Sequence, residues 1–150
     1  MENKKIGAGV GVLVIKNKKI LLGKRNEDPK KADSIFHGEG SWTMPGGKID
    51  FQEKIEKAAK RELFEETGIK ATSSDIQVFC LNEEIIKEAH FITIGLIFKN
   101  CTQEPKVKEP EEITEWKWFS LNDLPKKIYP PSKKILNNFK QKQLFISNNK

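Results

Sequence analysis

Between Arg61 and Glu66 the chain reads Arg-Glu-Leu-Phe-Glu-Glu, with three carboxylates in five residues and Thr67-Gly68 directly after. A glycine that follows a helical pattern marks a helix end. The acids therefore crowd the C-terminal turns, where the backbone dipole is already negative and carboxylates are unfavourable. With about 100° per residue and Glu62 at zero, Glu66 falls near 40° and Glu65 near −60°. Ile55, Ala58 and Ala59 share that sector. One helix face thus begins small and apolar and ends in acids, whereas an ordinary surface helix turns its acids away from the apolar stripe. Like charges four residues apart cost roughly 0.2–0.5 kcal/mol even without burial. Within the Arg61–Glu66 run, Arg61 is the one cation. A bound divalent cation would resolve the conflict, because hard ions such as Mg²⁺ favour clustered carboxylate oxygens. On spacing alone, a solvated acidic face is the alternative.

The upstream residues weigh against that alternative. Pro45-Gly46-Gly47 precedes the helix, and glycines there allow a tight turn and close backbone approach to a ligand. Gly47, Glu53, Arg61, Glu62, Leu63, Glu65, Glu66, Gly68 and Ile69 occupy every defined position of the pattern G-x5-E-x7-R-E-U-x-E-E-x-G-U, with U a bulky aliphatic residue. This segment, 47–69, resembles the Nudix box. The flanking strands and Gly23-Lys24-Arg25 extend the likeness to Nudix hydrolases over most of the chain. One departure stands out: Gln52 replaces the glycine usual before the first box glutamate.

The resemblance implies a catalytic group of Glu62, Glu65, Glu66, Arg61 and Glu53. Within it, the Gly46 carbonyl, Glu62, Glu65 and Glu66 would hold Mg²⁺ or Mn²⁺ against a substrate diphosphate. Arg61 and Glu53 would act as the supporting pair that fixes those ligands. A further acid from a distant loop is expected from Glu109, Glu111 or Glu112, with Glu112 the first choice. Arg25 occupies a phosphate-binding place, for which a guanidinium is suited through paired hydrogen bonds. Lys48 is a second phosphate candidate. Trp42, Trp116, Trp118, Phe36 and Tyr129 are the aromatics available to stack a base, with core packing the other reading of Trp116 and Trp118. His37 and His90 read as a loop and a strand residue; contact with a base or phosphate is the alternative for His90.

Those residues need a scaffold. Val10–Ile15 and Ile20–Gly23 read as strands joined by a turn at Asn17-Lys18-Lys19. Asn26–Ser41 is a long polar loop, a kind that is usually functional or mobile. Trp42–Met44 is a short strand, Glu53–Thr67 the acidic helix, and Ile76–Leu81, Phe91–Phe98 and Ile113–Phe119 further strands. Pro130-Pro131-Ser132 opens a last helix over Ser132–Phe145. Strands mixed with two helices predict an α/β (α+β) fold, a Nudix-type α/β/α sandwich with a mixed sheet, as one domain over 1–150.

Composition narrows the function classes. The chain is 37% hydrophobic and 32% charged, too apolar for disorder. No run approaches the roughly 18 apolar residues of a membrane helix, and the glycine-interrupted N-terminal run reads as a first strand rather than a signal peptide. Cys80 and Cys101 stand alone without metal or disulfide spacing, so a cytoplasmic protein with reduced thiols is expected. The net charge of +6 carries no aromatic interleaving, so the lysines read as a solvated surface and nucleic acid as an unlikely partner. The partner implied is a small nucleotide. The resemblance also allows a homodimer.

Within the family the chain looks most like MutT-type nucleoside-triphosphate diphosphatases, acting on canonical or modified (d)NTPs. ADP-ribose or a dinucleotide is the alternative substrate. The absence of proline from Glu83–Glu88, and a lone tyrosine at Tyr129, count against it. A catalytically silent nucleotide- or RNA-binding module is the alternative of another class, opposed by the intact box.

Overall fold

A computed structural model describes residues 4–32, 34 and 36–147; Asp33 and Ile35 of the long polar loop and both chain ends lie outside the described residues. In chain order the elements are β1 (Gly7–Lys16), β2 (Lys19–Arg25), β3 (Trp42–Thr43), β4 (Gly46–Lys48), α1 (Ile55–Thr67), β5 (Ile76–Ile86), β6 (Ala89–Phe98), β7 (Ile113–Ser120) and α2 (Pro130–Gln141).

β1 is the spine of a mixed sheet. It runs parallel to β6 from Gly7 opposite Phe91 to Val14 opposite Phe98, and antiparallel to β4 on its other edge. Asn17 and Lys18 both take positive φ, at 51° and 63°. That tight turn sends the chain back into β2. β5 closes the far edge on β6, while β3 and β7 flank β2.

Alternation along β1 sets the layers. Val10, Val12 and Val14 pack with Ala58, Ala59 and Leu63 of α1. Leu13 faces the other way, with Ile135 and Leu136 of α2. Both faces are covered, which is why Val12-Leu13-Val14 is apolar without interruption. The expected α/β/α sandwich is the observed architecture. Among the described residues no helix is long and apolar enough to cross a membrane.

Element ends differ from the sequence reading where side chains commit to turns. α1 starts at Ile55 rather than Glu53. The Glu53 N–H donates to the Asp50 carbonyl at 3.0 Å, closing a turn whose third residue, Gln52, has φ 65°. Glu53 Oε1 then accepts the Asp50 N–H at 3.0 Å. α2 ends at Gln141, not Phe145, with Lys142 left-handed at φ 54°. The cause is Asn138, which is buried on the inner face. Its Oδ1 accepts from Asn82 Nδ2 at 2.7 Å, and its Nδ2 donates to the Gln143 carbonyl at 3.1 Å. The tail then crosses to β5, where the Leu81 N–H donates to the Leu144 carbonyl at 3.0 Å. β5 itself continues past Leu81 to Ile86, held by pairing with β6 as far as Ile86 opposite Ala89, although its register shifts between Val78 and Cys80.

Two stability outcomes follow from these turns. Asn138→Ala leaves the Asn82 amide without its acceptor, so it should cost about 1–3 kcal/mol and lower the urea midpoint accordingly. Gln52→Gly should raise the melting temperature, because a left-handed non-glycine residue carries roughly 1–2 kcal/mol of strain and added chain entropy offsets only about 0.4–1 kcal/mol of it. Thermal and urea unfolding of both variants check these outcomes.

Candidate active site

One guanidinium ties the acidic helix to the loop and strand before it. Arg61 Nε donates to Glu53 Oε2 at 2.7 Å and Nη2 donates to Glu53 Oε1 at 2.9 Å, a paired fork. Nη1 donates to Glu62 Oε1 at 2.9 Å and reaches Glu65 at 3.4 Å. Nη2 also donates to the Lys48 carbonyl at 3.1 Å. The Arg61 fork first, then the Asp50 N–H, holds the Glu53 carboxyl down to about 2. Glu53 in turn raises the Arg61 guanidinium above its ordinary value. The glutamate that Arg61 orients is thus Glu62, and Glu53 anchors Arg61 in turn.

Glu66 turns inward under β4 and is 7% exposed. The Gly46 N–H donates to its Oε1 at 2.9 Å. Burial pushes its carboxyl well above the ordinary range; the Gly46 N–H opposes this, and Glu62, Glu109 and Glu112 add to it. Burial also raises Glu62, against the pull of Arg61. Gly47 makes this packing feasible, because a Cβ there would lie 2.5 Å from the Glu62 carboxyl carbon. Glu65 is the outer member of the three, with its side chain 49% exposed.

The loop before β7 divides its acids. Glu109 is raised by burial and then by Glu112 and Glu65. Glu112 lines the cavity that Glu66 also lines. Glu111 turns outward to Lys31 at 3.4 Å, a surface pair. Glu109 therefore joins Glu112 as an acid facing the helix, and Glu111 does not.

That cavity, of about 770 Å³, takes Gly46, Gly47 and Lys48 from β4, Glu66 from α1, and Arg25 from β2. Phe36, Phe91 and Tyr129 supply aromatic wall. The Arg25 guanidinium lies 4.5 Å from the Tyr129 ring centre, and its Nη2 donates to the Ala32 carbonyl at 2.9 Å. Among the described residues its buried Nε has no partner and no carboxylate pairs with Arg25.

Trp42, expected as a base-stacking surface, does not line the cavity. It packs edge-on against Phe119 at 4.9 Å within the α2-side core, because alternation along β3 gives the cavity side to its neighbour Thr43. Trp116 and Trp118 pack against the α1-side core, and Trp118 Nε1 donates to Glu104 at 2.8 Å. His90 lines the cavity and His37 does not. Phe91, Lys4 and Lys5 also line it, and sequence reasoning missed them as site residues. Only the β1–β6 register, which sets Phe91 beside Gly7, would have drawn attention to Phe91. Both cysteines are buried and free, with the Cys80 thiol pushed up to about 12 by burial.

Among the described residues no three acid, histidine or cysteine side chains already form a cation cage. The donor set nevertheless fits a hard divalent ion. Glu66 is a buried carboxylate with further carboxylates around it, and among the described residues no Lys or Arg pairs with it. All-oxygen donors of this kind suit Mg²⁺ or Mn²⁺ rather than a thiophilic metal.

The buried acid sets a pH dependence. The Glu66 carboxyl titrates higher folded than unfolded, so the folded chain holds the extra proton between the two values and stability falls as pH rises above about 4.5 through that window. In chelator, Glu66→Gln should therefore melt above the parent at neutral pH, with the gap closing toward pH ~4. Mg²⁺ should narrow the neutral-pH gap by stabilising the parent. Melts at two pH values, with and without Mg²⁺, check this.

Comparison with known proteins gives a consistent picture. Residues 5–139 match the NUDIX domain. The chain is 33% identical over 134 residues to a provisional 8-oxo-dGTP diphosphatase of Bacillus subtilis, covering 88% of this chain and 78% of the relative. It is 30% identical over 113 residues to an RNA pyrophosphohydrolase of Erythrobacter litoralis, covering 64% and 69%. The crystal structure of a MutT NUDIX hydrolase from Burkholderia pseudomallei superposes with a TM-score of 0.76 at 29% identity, covering 89% of this chain and 98% of that one. With nearly its whole length matched, and a box whose acids, arginine and glycines pack as one unit, the chain belongs to the Nudix family.

Proposed function

We propose that this protein is a metal-dependent pyrophosphohydrolase that converts nucleoside or deoxynucleoside triphosphates, modified ones included, to the monophosphate and pyrophosphate. The observation that carries this reading is the shared cavity. Its wall holds the buried Glu66 carboxylate on the Gly46 N–H, an Arg25 that pairs with no carboxylate among the described residues, and an aromatic group of Phe36, Phe91 and Tyr129. Acid for a cation, cation for phosphate and aromatic surface for a base thus meet in one space of nucleotide size.

Glu62, Glu65, Glu66 and the Gly46 carbonyl are the groups that would hold Mg²⁺ or Mn²⁺. When bound, such an ion neutralises phosphate charge and makes a water nucleophilic at neutral pH. The remaining work belongs to the chain. Arg61 keeps Glu62 and Glu65 facing the same way, and Glu53 keeps Arg61 in place. Arg25 and Lys48 bind phosphate oxygens. Glu112 and Glu109 add negative charge opposite α1, which raises the local affinity for a cation. Lys4, Lys5 and Lys87, also on the cavity wall, favour a polyanion over a neutral ligand. The likeness to a relative provisionally named an 8-oxo-dGTP diphosphatase points the same way.

Phosphate release coupled to inorganic pyrophosphatase, with Mg²⁺, should show turnover of one or more (d)NTPs and none in chelator. Turnover confined to ADP-ribose, dinucleoside polyphosphates or 5′-triphosphorylated RNA would replace the triphosphate reading. Glu66→Gln should lower kcat by about 10²–10³ while the fold survives. Near-parental activity in both Glu65→Gln and Glu66→Gln would sink the metal assignment. Arg61→Lys, which cannot make the paired fork, should cost about 10–100-fold in metal affinity or activity.

A further inference from the structure

Of the polar side chains on the cavity wall, Thr93 stands apart. It sits in the middle of β6, is 5% exposed, and its Oγ1 is buried without a hydrogen-bond partner among the described residues. Buried polar atoms nearly always have partners, so an orphaned hydroxyl on a cavity wall calls for one. The neighbouring hydroxyls are already committed. Thr43 Oγ1 lies 3.1 Å from Ser132 Oγ, which accepts the Met44 N–H at 2.9 Å. The Ser34 and Tyr129 hydroxyls bond to each other. Across the sheet Thr93 faces Gly9, which has no side chain, and Asn82, whose Nδ2 is given to Asn138.

The surroundings of Thr93 suit a flat ring. Phe91, two residues earlier, is on the same face of β6. Its ring lies over Gly7 and Gly9, where a Cβ would come within 2.6 and 2.8 Å of it. Phe36 meets Phe91 edge-on at 6.4 Å, and Tyr129 meets Phe36 at 6.1 Å. A heterocycle entering this space meets apolar and aromatic walls, and a turn of the Thr93 side chain about χ1 would bring it the buried hydroxyl, which can both donate and accept.

We infer that Thr93 selects the substrate by hydrogen-bonding the edge of its nucleobase, with Phe91, Phe36 and Tyr129 enclosing the ring. This rests on the nucleotide reading above but is independent of hydrolysis. A site built to hydrogen-bond one group rejects analogues lacking it far more strongly than an apolar slot does. Thr93 acts on specificity and touches no reacting bond.

The test uses the full chain, Thr93→Val, which keeps the β-branched shape and removes the hydroxyl, and Thr93→Ser, which keeps the hydroxyl. Titration calorimetry with AMP, GMP, CMP and UMP and their deoxy forms reads base and sugar preference without turnover. The parent should prefer one base by at least about tenfold, Thr93→Val should erase about a tenfold share of that preference, and Thr93→Ser should retain it. Thr93→Val should melt no lower than the parent, since it removes an unpaired buried hydroxyl. An unchanged preference in Thr93→Val, no base preference in the parent, or an effect only on ribose against deoxyribose would overturn the assignment. Triphosphate turnover is scored separately. Thr93-dependent base selection without turnover would fail the hydrolase reading and leave this one standing.

Discussion

A buried carboxylate beside other carboxylates governs the rest of the site. Glu66 keeps one hydrogen bond, from the Gly46 N–H, in exchange for its hydration, and Glu62, Glu109 and Glu112 all act to protonate it. An uncompensated buried charge is among the costliest features a fold can carry. The elements around it are shaped to bear it. β4 approaches α1 closely through two adjacent glycines, so that one backbone N–H meets Glu66 and the other glycine leaves room for Glu62. Arg61 offsets part of the negative charge from the outer side, and Glu53 fixes Arg61 from the loop.

The scaffold explains why these groups meet. β1 is buried on both faces and pairs on both edges, with β6 on one and β4 on the other. α1 docks through Ala58 and Ala59, small residues that bring its axis close to the sheet. Its C-terminal turns then arrive beside β4. β1, on its opposite face, carries Gly7 and Gly9 under Phe91. One strand thus positions both the acids and the aromatic wall, and the pattern of small residues along it decides how near each approaches.

Much of this was legible in the sequence because it is local. The acids, Arg61, Glu53 and the glycines lie within one segment, and helical periodicity alone places Glu62 and Glu66 toward the apolar side; Glu66 is buried as that periodicity requires. The left-handed Gly68 stop was equally local, at φ 76°. What was not legible depends on long-range pairing. Trp42 looked available for a base, but its contact with Phe119 joins β3 to the end of β7. The end of α2 was set by Asn138 meeting Asn82, 56 residues away, and no helical pattern records that. Phe91 and Thr93 read as ordinary strand residues until β6 is laid against the glycines of β1.

Gln52 shows how strongly the loop is determined. Its φ of 65° is the conformation a glycine adopts easily, yet a glutamine holds it here. The Asp50–Glu53 turn is closed by a backbone hydrogen bond and by the Glu53 carboxylate on the Asp50 N–H, and the Arg61 fork pins that carboxylate in place. Local backbone strain persists only where surrounding contacts over-determine it. The strain at Gln52 and the crowding at Glu66 are therefore two ends of one chain of contacts running through Glu53, Arg61 and Glu62. Under the proposed function, a cation among the acids would relieve the repulsion at one end of that chain, and so would couple metal binding to the stability of the loop at the other.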